Sequence, residues 1–462
     1  MHRAKRSVVF LALIAMLVSL LAACSSKSSS GDTAKSDANA PKKVEIKAGE
    51  KVKVTFWHAM GGHNGEVIQA LVDEFNKSQD KVQVEAVYQG TYDEALQKLK
   101  AAGPNGPSMI QVYEIGSRFM IDSGLITPMQ QFVTADNFDT KDIEPQILNY
   151  YSMNGKLNSM PFNTSTPLLY YNKTAFKEAG LDPEKPPKTL EEFAQDAKIL
   201  TKKQGNDIRY GAGFAIYGWF FEQLMATQGA YYTDNNNART AKATKATIDG
   251  KEGQTILQWW KDMIDAGSAA NLGRKTADSQ NAFMAGRVAM TLESTAVLGN
   301  FLKGIDNKFE LGTGYLPRPA SAGNNGGVII GGASLWITNT RPEKEQWAAW
   351  EFVKWLSSPA VQAKWYTQTG YFPIVKSAYD QQIVKDAIAK TPMFKTAIDQ
   401  LHSTPVNQVT QGAVIGVFPQ ARVKVEDAIE NTILGKATAA DALKSANADI
   451  TKLIEDYNKT TK

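Results

Sequence analysis

Three places where a strand gives way to a turn carry the side chains with most chemistry in this sequence. Trp57 and His58 close a strand-like run from Val52, Gly90-Thr91-Tyr92 follows a second run from Val82, and Glu114 follows a third from Met109. In open α/β sheets ligands bind beyond the carboxyl ends of strands, so these residues fall on one edge. A carboxylate accepts two hydrogen bonds from neighbouring hydroxyls, and tryptophan and tyrosine rings cover the apolar face of a carbon skeleton. The edge therefore suits a polyol or a sugar, while Glu114 also reads as a solvated charge at a strand end and Trp57 as a core residue. His58 and His63 are five apart across a turn, which is not the i,i+4 spacing of a helical zinc pair, and the chain holds four histidines and one cysteine. No metal site is expected. The sequence contains no GxxxxGK(S/T) phosphate loop and no G-x-S-x-G nucleophile elbow, which removes the main nucleotide and nucleophile motifs. Glu114 and Glu293 leave open the paired carboxylates of a glycosidase.

The elements that must position these residues are visible in the apolar spacing. Val52, Val54 and Phe56 alternate as a strand requires, then Ile68, Leu71, Val72 and Phe75 recur at helical spacing after a Gly-rich turn. Val82, Val84, Ala86 and Tyr88 alternate again, Thr91 and Glu94 form a capping box, and Met109 to Tyr113 is a third strand. Repeated β-α-β units predict the α/β class with mainly parallel sheets. A second region opens at Leu168 to Tyr171, with another capping box at Thr189 and Glu192; Gly326 to Gly332 is a flexible apolar stretch, and Ala348, Phe352 and Trp355 line a later helix. No internal repeat is visible.

With 462 residues, 43% hydrophobic and 21% charged, the chain has the composition of a globular protein of two or three domains. Beyond residue 50 basic and acidic residues are equal in number, which argues against a nucleic-acid partner because phosphate backbones select a net basic surface. The beginning is different. Arg3, Lys5 and Arg6 precede a 16-residue apolar run, Val8 to Ala23, shorter than the roughly 20 residues that span a bilayer. The run ends in Leu21-Ala22-Ala23-Cys24, with the only cysteine at its close, and this stretch resembles the lipobox of bacterial lipoproteins. Residues 1–23 are thus expected to be a lipoprotein signal peptide, Cys24 the lipidated residue, and 24–50 a flexible tether rich in Ser, Asp, Lys and Ala.

Six collinear stretches carry a wider resemblance: Val54-Thr55-Phe56-Trp57-His58-Ala59-Met60, Gln111-Val112-Tyr113-Glu114, Pro161 to Pro167, Gly331-Gly332-Ala333-Ser334-Leu335-Trp336, Thr369-Gly370-Tyr371-Phe372-Pro373 and Pro419-Gln420-Ala421-Arg422-Val423. They resemble the extracellular solute-binding proteins of bacterial ABC importers related to maltose-binding protein, in particular those for sn-glycerol 3-phosphate. The resemblance runs from about residue 52 to about 455. It implies a two-lobed periplasmic-binding-protein-like clamp crossed three times by the chain, near Ser165, Gly331 and Val375. Lobe 1 is then 51–164 with 332–374, and lobe 2 is 165–331 with 375–462. The family's ligand contacts carry over to Tyr92, Glu114, Ser165, Ser294, Gly332, Tyr371 and Arg422. In this reading Glu114 grips the glycerol hydroxyls, while Arg422, the four hydroxyls and the Gly332 N–H surround a phosphate.

The resemblance also implies a receptor and not an enzyme, with no cofactor, a glycerol phosphate ester as ligand, permease subunits as partners, and a monomer. Two departures stand out. Relatives that bind the free ester place two tryptophans three apart in the second lobe; here Trp219 is present but Ile216 stands in the partner's place, leaving Phe214 or Tyr217 as substitutes. The lipobox is the other departure, and a lipid anchor fits a Gram-positive cell surface. Arg422, as the single cation of the set, is expected to balance one phosphate charge better than two, favouring a glycerophosphodiester such as glycerophosphocholine, with Trp57 and Trp219 facing its quaternary ammonium. An oligosaccharide-binding protein is the alternative within the class, and a surface glycoside hydrolase the alternative outside it.

Overall fold

The computed structural model describes residues 43–205 and 207–461, with every side chain there except that of Gln204. Residues 1–42, on which the expected signal peptide, Cys24 and most of the expected tether fall, lie outside the described residues.

Apolar alternation becomes sheet and helix along the chain. Strands β1 (Val52–His58), β2 (Val82–Tyr88) and β3 (Met109–Tyr113) lie parallel with β1 in the middle. The helix between the first two, α1 (Gly62–Ser78), buries Val67, Ile68, Leu71, Val72 and Phe75, the stripe expected from a 3.6 period. The next, α2 (Tyr92–Ala102), begins with the expected capping box: the Glu94 N–H donates to Thr91 Oγ1 at 3.3 Å and the Thr91 N–H to the Glu94 carboxylate at 2.7 Å. The same sheet contains β4 (Ile126–Thr127) and β5 (Met160–Ser165).

One residue, Thr166, separates β5 from the second sheet. That sheet is formed by β6 (Pro167–Asn172), β7 (Lys202–Gln204), β8 (Asp207–Ala212), β9 (Val288–Ser294) and β10 (Leu311–Gly314), in the order β10-β6-β9-β8-β7. Helices α3 (Leu190–Leu200), α4 (Gly218–Thr227) and α5 (Lys251–Asp265) belong to this stretch. The chain then returns to the first sheet through β11 (Gly331–Thr338), which pairs antiparallel with β3, β4 and β5, bringing Gly331 opposite Ser165. The α/β class is as expected, but the sheets are mixed. Parallel pairing is confined to β1–β2, β1–β3 and β8–β9, and the other pairings are antiparallel. A β-α-β unit dictates parallel pairing only for the strands it joins; a strand that enters from the other sheet is free to run the opposite way.

After β11 the chain is helical. Helices α6 (Glu343–Leu356) and α7 (Pro359–Thr369) follow β11, and α6 packs on β1 and β11; α8 (Met393–Ser403) packs on β10, and α9 (Phe418–Ile433) and α10 (Ala439–Thr460) pack on each other and on α5. Near Val375 the backbone rejoins the first segment, with the Glu144 N–H donating to the Ile374 carbonyl at 2.9 Å. Two buried apolar clusters hold these layers together. One joins Leu96 and Val112 to Leu169, Leu292 and Trp219, and the other joins Val54 and Met160 to Leu168 and Tyr170, so each draws on both sheets.

Candidate functional site

Glu114 starts a short 3-10 turn at the end of β3 and is buried. Arg422 lies in the first turns of α9, flanked by buried Ala421 and Val425, and is itself 5% exposed. The two meet although 308 residues separate them: Arg422 Nη2 donates to Glu114 Oε1 at 2.6 Å. A second carboxylate completes the cluster. Arg422 Nε donates to Glu222 Oε1 at 2.6 Å and Nη2 to Glu222 Oε2 at 2.9 Å, the bidentate geometry that a planar guanidinium favours. Glu222 follows Gly218 by one turn of α4. Gly218 allows the approach, since a Cβ there would lie 3.1–3.2 Å from Arg422. Arg422 also stacks over the rings of Tyr217 and Phe418, 5.5 and 5.8 Å from the centroids.

Two carboxylates against one guanidinium leave one uncompensated negative charge in a buried place. Burial pushes the Glu222 carboxyl above its ordinary range, with the Arg422 contact acting in the opposite sense. For Arg422 burial opposes the charge, but Glu222 and Glu114 outweigh it and hold the guanidinium protonated. Arg422, expected as the single cation that balances a phosphate, is paired in this structure with two carboxylates, and a phosphate placed there shares it with them.

The remaining expected residues are placed by the two sheets and the turns that follow their strands. Tyr92 opens α2, stacks on Tyr113 at 5.4 Å, and accepts a hydrogen bond from Asn163 Nδ2 at 2.8 Å. Asn163 is in turn held by Gln111, whose Nε2 donates to its Oδ1 at 2.7 Å. Tyr371 is buried against Trp365 in a parallel stack at 5.6 Å and reaches Tyr92 and Asn163 with its hydroxyl. Ser165 ends β5 opposite Gly331, and Gly332 sits opposite Thr164. Gly332 has a φ of +92°, and a Cβ there would lie 1.9 Å from the Asn163 carbonyl oxygen, so only glycine fits. Ser294 caps the turn after β9 by accepting from the Ala296 N–H at 3.2 Å, which leaves its own O–H free to donate. The segment beyond it is tied to Ser165's neighbour, the Thr295 N–H donating to the Thr166 carbonyl at 2.9 Å.

The aromatic wall differs from expectation. Trp219 is buried against Gly331, where a Cβ would come within 2.8 Å of its ring, and its ring neighbours are Tyr217 and Phe220. Trp57 packs half-buried on the same apolar cluster as Tyr92 and is not among the ring neighbours of Trp219. The ring beside Trp219 at this position is Tyr217, 6.2 Å between centroids, while Trp57 leaves from β1 in the other sheet. Of the two substitutes for the missing tryptophan, Phe214 belongs to the core, 4.3 Å from Trp260, and Ile216 is buried; Tyr217 is the one at the site. His58 is buried and pushed down to about 4 by that burial, its Nδ1 accepting from the Met60 N–H. Glu293, the other carboxylate considered, is buried on β9 beside Gln280 and is pushed up to about 8 by burial.

A cavity of about 1260 Å³ lies elsewhere, along β10 and α8, and none of the expected residues lines it. Its Lys173 is ion-paired to Glu184 at 2.8 Å, and it contains no buried charge cluster comparable to that of Arg422. The convergence of charged and aromatic side chains makes the Arg422 cluster the candidate site. Sequence reasoning missed Glu222 and Asn163. The signal for Glu222 was a lone acidic residue within a helix whose residues from Gly218 to Thr227 are all buried; Asn163 stood inside a recognised motif.

Comparison with known proteins agrees with this geometry. Residues 70–396 match the family described as bacterial extracellular solute-binding protein. The chain is 35% identical over 417 residues to the sn-glycerol-3-phosphate-binding periplasmic protein UgpB of Pectobacterium atrosepticum, covering 88% of this chain and 93% of that one. The chain belongs to the bacterial extracellular solute-binding proteins. UgpB of Escherichia coli K12 is 34% identical over 417 residues, 88% of this binding protein and 94% of that one. Among solved structures, UgpB from Mycobacterium tuberculosis in complex with glycerophosphocholine superposes with a TM-score of 0.75 at 24% identity, over 88% of this chain and 99% of that one. The acarbose-binding GacH receptor of Streptomyces glaucescens gives 0.73 at 22%, over 88% and 99%; likenesses at this identity speak for the fold alone. Members of the family act outside the cell membrane as binders, not enzymes: they take up a small solute and pass it to an ABC permease.

Proposed function

We propose that this binding protein captures sn-glycerol 3-phosphate or a glycerophosphodiester between two lobes and delivers it to its permease. The observation that carries the proposal is the buried contact of Glu114 with Arg422 at 2.6 Å, two of the residues to which the resemblance carries the family's ligand contacts. Glu114 and Glu222 hold the guanidinium between them. A glycerol diol donates to Glu114 and loosens its hold on Arg422, and a phosphate oxygen takes the donor so released. Glu222 keeps its two bonds and fixes the plane of the guanidinium. The hydroxyls of Tyr92, Ser165, Ser294 and Tyr371 and the Gly332 N–H complete the phosphate shell.

Charge favours the diester. The cluster is already negative by one, so a monoester with nearly two charges is opposed more strongly than a diester with one. The lobes in this proposal are 51–164 with 332–374 and 165–331 with 375–462, hinged near Ser165, Gly331 and Val375, and ligand closes them together. The proposal also takes Cys24 as the diacylated anchor of a monomeric receptor on a Gram-positive type of cell surface, after removal of residues 1–23.

Calorimetric titration of the full chain against sn-glycerol 3-phosphate, glycerophosphodiesters and maltooligosaccharides tests the reading. Binding of the phosphate esters alone is expected. Binding of phosphate-free sugars in their place would overturn it in favour of an oligosaccharide receptor, and a tenfold advantage of the monoester over every diester would refute the charge argument.

A further inference from the structure

Ala59, Gln111, Asn163 and Tyr92 come from four separate stretches of the chain and join in one line of hydrogen bonds. The Ala59 N–H donates to Gln111 Oε1 at 2.9 Å, Gln111 Nε2 to Asn163 Oδ1 at 2.7 Å, and Asn163 Nδ2 to Tyr92 Oη at 2.8 Å. Gln111 on β3 and Asn163 on β5 are both fully buried. A primary amide has two ends of like size, an oxygen that accepts and a nitrogen that donates. In this line their orientation is not free. A backbone N–H only donates, so the Gln111 atom that faces Ala59 is its oxygen. Its nitrogen then faces the Asn163 oxygen, and the Asn163 nitrogen is left for the tyrosine.

The far end of the line inherits that direction. Tyr92 accepts from Asn163, so its oxygen is engaged and its proton remains to be given. Tyr371 reaches both Asn163 and Tyr92 with its own hydroxyl, and the second N–H of the Asn163 amide serves it. Of the two phenol protons one bridges the pair of oxygens, leaving the other to be donated outside the line. Stacking of Tyr92 on Tyr113 at 5.4 Å and of Tyr371 on Trp365 at 5.6 Å keeps both rings in place.

We propose that Gln111 and Asn163 are positioning residues of the ligand site: they fix the Tyr92 and Tyr371 hydroxyls as a hydrogen-bond donor, which selects an acceptor with no proton of its own, a phosphate-ester oxygen. The inference rests on the receptor reading above. With the amides unset, a phenol is free to turn its lone pair outward, and a lone pair facing a phosphate oxygen repels it. A donor held in place for an anion is worth roughly tenfold or more in affinity.

The test is a double-mutant cycle on the full chain, with affinity for glycerophosphocholine and sn-glycerol 3-phosphate read by calorimetric titration and folding checked by thermal melting. Tyr92→Phe keeps the ring, removes the donor, and is expected to weaken both ligands roughly tenfold. Gln111→Met keeps the length but unsets the amides; it should weaken both about fivefold in the otherwise unaltered chain and about twofold or less in Tyr92→Phe, because most of its effect passes through that hydroxyl. A merely structural role gives the same loss in both backgrounds. If Gln111→Met does not fold, Gln111→Glu decides. As a neutral acid it accepts from Ala59 and donates to Asn163 as glutamine does, whereas its carboxylate only accepts and turns the Asn163 amide around. Relative to wild type at each pH, its affinity for glycerophosphocholine should lie within about twofold at pH 5 and fall about fivefold or more at pH 9, the fall being smaller in Tyr92→Phe. Equal losses with and without the Tyr92 hydroxyl, or no loss in either Gln111 variant, overturn the positioning role and leave the receptor reading. Failure of the unaltered chain to bind either ester removes both.

Discussion

Arg422→Met is the most informative single change. Methionine keeps the length and apolar stem of arginine but removes the cation that contacts Glu114 and Glu222, both about 6% exposed. Removing one partner of a buried ion pair costs about 3–5 kcal/mol because the other charge is left behind. Protonation sets a ceiling on that cost. A carboxyl with an ordinary value of 4.5, the reference for Glu222, escapes its stranded charge at pH 7 for about 3.4 kcal/mol and at pH 5.5 for about 1.4 kcal/mol. The sign follows directly. In the variant the folded chain holds these protons at higher pH than the unfolded chain does, so its stability relative to wild type is greatest at low pH and falls as pH rises above about 4.5. Urea denaturation followed by tryptophan fluorescence should show a deficit of at most about 3.4 kcal/mol per stranded carboxylate at pH 7, shrinking to at most about 1.4 kcal/mol at pH 5.5. Adding Glu222→Leu should recover part of the deficit at pH 7. A deficit under about 1 kcal/mol at pH 7, or one that is the same at both pH values, would refute the buried cluster, since surface pairs contribute no more than that.

Glu293, held near 8 by burial, binds its proton in the folded chain at pH values where the unfolded chain has lost it; wild-type stability should therefore fall between about pH 4.5 and 8, by at most about 4–5 kcal/mol, and Glu293→Gln should flatten that slope in pH-resolved denaturation. Gly332→Ala forces a Cβ against the Asn163 carbonyl at a positive φ and should cost more than about 2 kcal/mol or abolish folding, read by thermal melting; a change within 0.5 kcal/mol would mean that β5 and β11 do not approach so closely. Cys24→Ala should release the protein from membrane fractions or leave it unprocessed, because the substitution removes both of the acyl chains whose joint burial binds stably; unchanged processing and retention would count against the lipobox.

Much of this protein was legible in one dimension. The strands ending at His58, Tyr88 and Tyr113, the buried stripe of α1 and the capping boxes at Thr91 and Thr189 all depend on neighbours within a few residues, and local rules suffice for them. The motifs around Glu114, Ser165, Gly332, Tyr371 and Arg422 could be picked out because each is a short contiguous stretch. Ser294 looked like a ligand hydroxyl, and the structure shows that it caps a turn as well.

Other features depended on residues far apart in the chain meeting in space. No spacing rule links Arg422 to Glu222, 200 positions away, yet with Glu114 it gives the single cation of the set two carboxylate partners. The same holds for the aromatic wall: Trp219 and Tyr217 come together because α4 lies against Gly331, while Trp57 leaves from a strand of the other sheet. Periodicity and short motifs determine which side chains are available and which way each element faces. The charge balance of a buried site is a sum over elements that meet only after folding, and in a low-dielectric interior one added carboxylate changes which ligand that site accepts.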